Sequence, residues 1–511
     1  MCKDACESFL KVADKFKLGT LETEKPHPLT NHLSEEVQTD LVQAISSLKS
    51  VDSEALQRFK EYLPDLEQLG ADIWDTLESG GRIFLCGCGA TGRLSIALEV
   101  FCRQGLIHEK YSDRFIGFMA GGDAALIKSI ENFEDYPEYG KRQLFELGYR
   151  QNDLLISTTE GGETPFVIGA TEAASEAGQR NPWFIYCNPD EQLIEEVERS
   201  KQVIQNPKIR NLSLFVGSMG LSGSTRMQAS TVLMAAVGWA IRFGNQINLI
   251  EDQLDAFIAT WNQLDISPLS RFIQSEADTY SQSEFVIYQT DSYPVTVLTD
   301  TTERSPTFSL PPFENESDKT DPPAWCYLSI PSAKDSEVAW ENVLKRSPRC
   351  LEWEGIESFT GERYLRGFYI GQSCFTKRSS KTLEAANHTF EIEQSTNGFY
   401  FLFKDDRWEV GAPRLGFFEL NLLLKLVLNI HSTLIMGLLN RFESNLMTYV
   451  KPTNFKLIDR TIRYVQRLAE LKGSPVPSYE QIAHKLFSVK DQLSNDEPIV
   501  LRLMDELRIN P

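Results

Sequence analysis

The chain has 511 residues, 51 basic and 72 acidic side chains, a formal net charge of −21 at pH 7 and 41% hydrophobic residues. That balance excludes a basic nucleic-acid face and an anionic-membrane surface, and leaves an anionic ligand only a locally prepared pocket. By length the chain holds roughly two to four domains. Its nine cysteines follow no framework spacing, and MCKDACESFLKVADKF at the start is a charged amphipathic pattern rather than a signal peptide, so a reducing, cytoplasmic setting is expected.

Residues 1–80 read as mainly helical. From 83 to 217 the apolar runs RIFLCG, RFIGFMA, DLLIST, WFIYCN and LSLFVG alternate with helix-like segments. Short apolar strands separated by helices predict a parallel, doubly wound sheet, whose ligands sit at the carboxyl ends of the strands. From about 275 to 415 a weaker version follows, with EFVIYQ, WCYLSIP and RCLEW as strands and DSEVAWENVLKR as a helix. FEIEQSTNGFYFLF, 390–403, predicts a hairpin turning at Asn397-Gly398. The stretch SPTFSLPPFENESDKTDPP, 305–323, is rich in proline and acid and is expected to be a surface loop. Beyond 416 the pattern predicts helices over 416–449, 454–472, 478–488 and 494–508. One segment, LLLKLVLNIHSTLIMGLL at 422–439, has the hydropathy of a membrane span, but Lys425, Asn429 and His431, with Glu419 before it, point to a long core helix.

Three loops carry the chemistry. IFLCGCGATGRL, 83–94, contains G-x-G-x-x-G between a strand and a helix; STTEGGETP, 157–165, and GSMGLSGSTRM, 217–227, follow later strands of the same sheet. Backbone amides and hydroxyls at helix N-termini are what a phosphate monoester requires. A dinucleotide site needs an acid at the end of the second strand, and RFIGFMA ends in Gly121-Gly122 instead. Cys86 and Cys88 have no nearby histidine and read as packed cysteines, so neither a metal nor a cofactor is expected. The loops therefore predict phosphosugar contacts from Gly89, Ala90 and Thr91, from Thr159, Glu160, Gly161 and Gly162, and from Ser224, Thr225 and Arg226. Thr91, Ser224 and Thr225 could equally be helix N-caps, and Arg93 and Arg226 either phosphate partners or clamps on neighbouring loops.

LSGSTRMQAST, 221–231, resembles the signature of the sugar isomerase (SIS) domain family that N-acetylmuramic acid 6-phosphate etherases share with the glucokinase regulatory protein. TEKPHPLT (23–30), AGGDAALIKSIENFEDYPEYG (120–140), ETPFVIGAT (163–171) and CNPD (187–190) extend the likeness. Segments that directly follow the GSTRM helix in the etherases, LVLNIHST and PTNFKLIDRTIRYV, lie here about 200 residues later, at 426–433 and 452–465, beyond a second, degenerate sheet. The resemblance thus implies two SIS domains, doubly wound parallel sheets flanked by helices, with a helical C-terminal lid: a helical segment over 1–80, a phosphosugar-binding SIS domain over 81–250, a degenerate one over 251–415 and the lid over 416–511.

It also implies ligand contacts from Glu131, Glu303 and Lys456, with Glu131 catalytic only if the chain is an etherase. The etherases' second glutamate, in the first helix, corresponds to Phe101, with Glu99 about 200° away around the helix. Their lysine after GSTRM is Gln228, and an arginine of the third-strand loop is Glu163. The implied function is a sugar-phosphate-binding regulatory protein of carbohydrate metabolism, for a fructose 6-phosphate-like sugar or an amino-sugar 6-phosphate, with a sugar kinase as partner and no nucleic acid or membrane. An etherase-type carbon–oxygen lyase is the alternative.

Overall fold

A computed structural model describes residues 2–16, 18–130, 133–318, 320–494 and 496–509. The N-terminal region is mainly helical and ends in α1 (Leu41–Phe59) and α2 (Leu66–Glu78). Asp40 starts α1 by accepting the Gln43 N–H at 3.1 Å, which satisfies an otherwise orphan donor. Ala44, Leu48, Val51, Ala55 and Phe59 follow at helical spacing and are buried.

The first sheet comprises β1 (Ile83–Gly87), β2 (Phe115–Met119), β3 (Leu154–Thr158), β4 (Trp183–Tyr186) and β5 (Arg210–Ser213), in the order β2-β1-β3-β4-β5 with every pair parallel. Helices α3 (Gly89–Phe101), α4 (Pro165–Ala177) and α5 (Gln228–Phe243) accompany it. Strands β1 to β4 are buried along their whole length, which accounts for their unbroken apolar runs. The edge strand β5 begins two residues before LSLFVG. After it the Leu214 N–H still donates to the Tyr186 carbonyl at 2.6 Å before the chain turns into the third loop.

The second half contains α6 (Leu269–Ser281), β6 (Phe285–Gln289), α7 (Pro294–Phe308), β7 (Cys326–Ser329), α8 (Ser336–Leu344), β8 (Asn387–Ser395), β9 (Gly398–Phe403) and β10 (Asp406–Gly411). Its sheet runs β10-β9-β8-β6-β7. Only β8-β6-β7 is parallel; β9 and β10 are antiparallel additions, with Ser395 opposite Gly398 at the expected hairpin turn.

Two expectations are corrected. RCLEW is not a strand: residues 346–353 are a strap on the first half of the chain. The Arg349 carbonyl accepts the Asp123 N–H at 3.1 Å, and its guanidinium donates to Glu99 at 2.8 Å. Its partners are side chains and a loop amide, so no ladder forms. The segment 305–323 is not simply a surface loop. Its start is the end of α7, closed by Ser309 at φ +55. Phe308 and Phe313 are buried, and Glu314 is an internal tie, pairing with Arg378 at 2.5 Å and accepting the Ala324 N–H at 3.0 Å. Acid in this stretch serves an inner ion pair, which composition does not distinguish from solvation.

The membrane-like segment is α9 (Phe417–Leu438), buried from Phe418 to Gly437 and packed against α1, α5, α6 and α7. It ends earlier than 449, with Asn440 at φ +57 leading into a short ribbon of Phe442–Glu443 and Leu446–Met447. Helices α10 (Phe455–Leu471), α11 (Tyr479–Val489) and α12 (Ile499–Glu506) complete the chain. The result is an α/β protein with two helix-flanked sheets and a helical C-terminal region.

Candidate functional site

A cavity of 460 Å³ lies at the carboxyl ends of the first sheet's strands, walled by the three glycine and hydroxyl loops, α7 and α10. A wider cleft of 840 Å³ along the β5 edge, by Tyr62, Trp183 and Arg210, lies outside those loops.

In the first loop Gly89 and Ala90 face the cavity. Gly89 has φ +55, and a Cβ on Gly92 would stand 2.5 Å from that of Met119 on β2, so this spacing of glycines lets α3 start abruptly and lie close to the sheet. Thr91 is corrected from a phosphate contact to a cap. Its hydroxyl accepts the Cys88 N–H at 3.1 Å and donates to the Cys88 carbonyl at 3.0 Å, and it does not line the cavity. Arg93 does line it. Buried, it donates to the Leu126 carbonyl and the Thr302 hydroxyl, both at 3.2 Å, and forms no ion pair with any described residue.

In the second loop Glu160 and Gly161 face the cavity. Thr159 and Gly162 are corrected to supporting roles: the Thr159 hydroxyl is 3.1 Å from that of Thr164, and the Gly162 carbonyl accepts the Ser200 hydroxyl at 2.7 Å. Ser224, Thr225 and Arg226 of the third loop all line the site. The Ser224 hydroxyl is buried and has no hydrogen-bond partner among the described residues. Arg226 is the clamp of the two roles weighed for it. It pairs with Asp300 of α7 at 3.2 Å and donates to Ser432 and Thr433 of α9, while its Nε is left without a partner among the described residues. Gln228 braces this loop from beneath, donating to Asp52 at 2.6 Å and accepting the Gly220 N–H at 3.0 Å.

Glu303 of α7 and Lys456 of α10 reach the same cavity, Lys456 paired with Glu163. Glu131 lies outside the described residues. Sequence reasoning missed Glu24, Glu134 and Arg460, which line the cavity, and Tyr464 behind them. Arg460 pairs with Glu24 at 2.6 Å and Tyr464 donates to the Ser222 carbonyl at 2.7 Å, so α10 is fastened to both the N-terminal segment and the third loop. The spacing Lys456, Arg460, Tyr464 on a predicted helix was the available signal, since it puts all three on one face.

The carboxyls divide into two groups. Burial alone would raise Glu163, but the Lys456 ammonium and Arg199 guanidinium override it and hold it at about 2; Arg460 and Arg463 do the same for Glu24. Glu134 and Glu303 are pushed up, chiefly by burial, and Glu160 is pushed up to about 7 for the same reason. The cavity therefore combines a guanidinium without an ion pair and a hydroxyl without a hydrogen-bond partner among the described residues, suited to a phosphate, with acids suited to sugar hydroxyls.

The family model described as the glucokinase regulatory protein N-terminal SIS domain matches residues 68–175. The N-acetylmuramic acid 6-phosphate etherase of Salmonella paratyphi B is 30% identical over 234 residues, 44% of this chain and 72% of the relative. N-acetylmuramic acid 6-phosphate etherase 1 of Bacillus licheniformis is 28% identical over 214 residues, 42% of this chain and 65% of the relative. Among solved structures, the C-terminal domain of glucosamine-fructose-6-phosphate aminotransferase from Francisella tularensis aligns with 75% of this chain and 96% of its own at a TM-score of 0.34 and 10% identity, too slight an overlap to argue from. With 30% identity across more than two thirds of an etherase, the chain belongs to the phosphosugar-binding SIS-domain family of the N-acetylmuramic acid 6-phosphate etherases and the glucokinase regulatory protein.

Proposed function

We propose that the chain is a non-catalytic phosphosugar sensor: a phosphorylated sugar binds at the strand ends of the first sheet beneath α10, and occupancy changes the affinity for a protein partner. The observation that carries this reading is Phe101. An etherase glutamate belongs at this position by resemblance, yet the ring is 1% exposed and set edge-to-face against Phe417 and Phe418, with centroids 5.7 and 5.8 Å away. Glu99 does not stand in for it. Its oxygens are taken up by Arg103, Arg346, Arg349 and the Gly117 N–H, toward β2 and the 346–353 strap. Eliminating a lactyl ether needs an acid and a base placed on the sugar and its leaving group, and α3 supplies neither.

The ligand class is a fructose 6-phosphate-like sugar or an amino-sugar 6-phosphate. The name of the regulatory relative points to a sugar kinase as partner, and linkage requires partner and sugar to alter each other's affinity equally. The free thiols, Cys86, Cys187 and Cys374 among them, fit a reducing compartment, and we place the protein in the cytoplasm. One observation favours a second reading. A buried carboxyl at about 7, Glu160, is poised to exchange a proton at neutral pH, as a lyase of this family would require. Incubation with N-acetylmuramic acid 6-phosphate, assayed for D-lactate, separates the two. The sensor reading expects no lactate above the blank, together with calorimetric binding of a sugar phosphate. Stoichiometric lactate release overturns it, and its loss in Glu131→Gln would identify the catalytic acid.

A further inference from the structure

Glu160 lies two residues beyond β3, and its loop is tied to β4 and the residue after it: the Thr159 N–H donates to the Ile185 carbonyl at 3.0 Å, and the Glu160 carbonyl accepts the Cys187 N–H at 2.9 Å. The backbone is thereby fixed and the side chain faces the cavity. The residue is 8% exposed, and its Oε1 has no hydrogen-bond partner among the described residues. No ion pair reaches it among those residues, although Glu163, three positions on, holds both Lys456 and Arg199. Ser224, 4% exposed, brings a second unpartnered oxygen to the same cavity from the third loop. A buried carboxylate without a counter-ion opposes a phosphate dianion in the same low-dielectric space, whereas a buried carboxylic acid offers it an O–H donor.

We propose that Glu160 sets the charge state in which the cavity accepts its ligand: the carboxyl takes a proton from solvent and donates it as a hydrogen bond to the phosphate, so sugar phosphate and proton bind together. This rests on the phosphosugar-binding reading above. The groups facing Glu160 oppose one another, and its own backbone N–H favours the charged form against the stronger effect of burial. Glu303 on α7 repels its charged form; Lys456 on α10 and Lys425 on α9 oppose that repulsion, but Lys456 is committed to Glu163 and Lys425 to the Arg226 carbonyl and the Thr231 hydroxyl, both at 2.8 Å. The Cys88 and Cys187 thiols beside it are raised by burial and stay neutral. Burial pushes Glu160 itself up to about 7, while Lys425 is pushed down by burial to about 8.

The experiment is calorimetry with fructose 6-phosphate between pH 7 and 9, in pairs of buffers of different ionisation enthalpy. Above pH 7 the phosphate is already a dianion, so its own titration drops out. The parent is expected to take up close to one proton per sugar phosphate at pH 8.5 and to lose affinity by up to about tenfold per pH unit. Glu160→Gln, which keeps the shape and a donor, is expected to take up none through this position and to bind more tightly than the parent at pH 8.5. Denaturation without ligand checks the residue directly. The native carboxyl keeps its proton up to about 7, whereas an unfolded glutamate releases it near its ordinary value of 4.5. The stability that this proton contributes is thus fully present below 4.5 and lost as pH rises from there through about 7, so Glu160→Gln gains denaturant resistance relative to the parent across that window. Binding by both proteins with the same pH dependence and proton uptake overturns this inference and leaves the sensor reading standing. Binding of no sugar phosphate by either protein overturns both.

Discussion

The two sheets place a carboxyl at the same topological position and use it in opposite ways. In the first sheet β1 is flanked by β3, whose end carries Glu160; in the second β6 is flanked by β8, which carries Glu393. Glu393 fills the loop after β6. It accepts the Asp291 N–H at 2.5 Å, the Ser292 N–H at 3.1 Å and the Ser292 hydroxyl, just ahead of α7. The amides that a phosphate would use are already satisfied by the protein's own anion. The Glu160 Oε1 has no hydrogen-bond partner among the described residues, and the first sheet's loops open into a cavity. A strand-end loop in this architecture is therefore a site only while its neighbour's acid stays out of it. The second sheet has closed its own and contributes Glu303 on α7 to the other.

If the open loops bind phosphate, the largest effect comes from their hydroxyls. Ser224→Ala together with Thr225→Ala should weaken fructose 6-phosphate by about a hundredfold or more, each hydrogen bond to a charged group being worth roughly 1.5–3 kcal/mol. Unchanged affinity by calorimetry, with the circular dichroism of the parent, would place the phosphate elsewhere. The closed loop predicts the reverse pattern. Glu393→Ala strands two amides near solvent and should cost roughly 1–2 kcal/mol of unfolding stability while leaving fructose 6-phosphate affinity within a factor of about two. A tenfold change in affinity with stability untouched would show that the second sheet's loop is itself a binding site, and the comparison would fail.

Much of this contrast was legible beforehand, and what was not has a physical cause. The alternation of apolar runs and helices gives the first sheet because fully buried parallel strands leave no other pattern. The hairpin after β8 was readable from Asn397-Gly398 because that dipeptide suits one kind of turn. The glycine loops marked the site, but not which of their residues face it: Thr91 and Thr159 have hydroxyls that the backbone or a neighbouring threonine claims first. The strap at 346–353 reads as a strand because Cys350, Leu351 and Trp353 make a short apolar run, and only the position of Glu99 reveals it as an ion-paired tie. Glu24 escaped notice because its partners, Arg460 and Arg463, lie more than 430 residues away in the chain.

The smallest expected effect concerns the closure over the open loops. Lys456 was expected to meet the ligand's anion, but its ammonium is held by Glu163, and Arg199 holds the same carboxylate at 2.6 Å. The charge near the phosphate is thus partly neutralised before ligand arrives. Lys456→Ala should cost less than tenfold in fructose 6-phosphate affinity, because Glu163 loses one of two cations and the cavity loses a charge it had not fully presented. Glu163→Gln frees the ammonium and should tighten binding, while the double variant should depart from additivity, since the two side chains touch. Lys456→Arg should rescue incompletely, a planar fork being a poor substitute for a point charge. Hydrogen exchange over α10 distinguishes closure from simple contact. Protection that rises with saturating fructose 6-phosphate in the parent, and less so in Lys456→Ala, means that the ligand stabilises the closed arrangement of α10 on the first sheet. Protection that does not change with ligand in either protein would mean that Arg460, Tyr464 and Glu24 already hold α10 shut, and that the partner senses the sugar through another element.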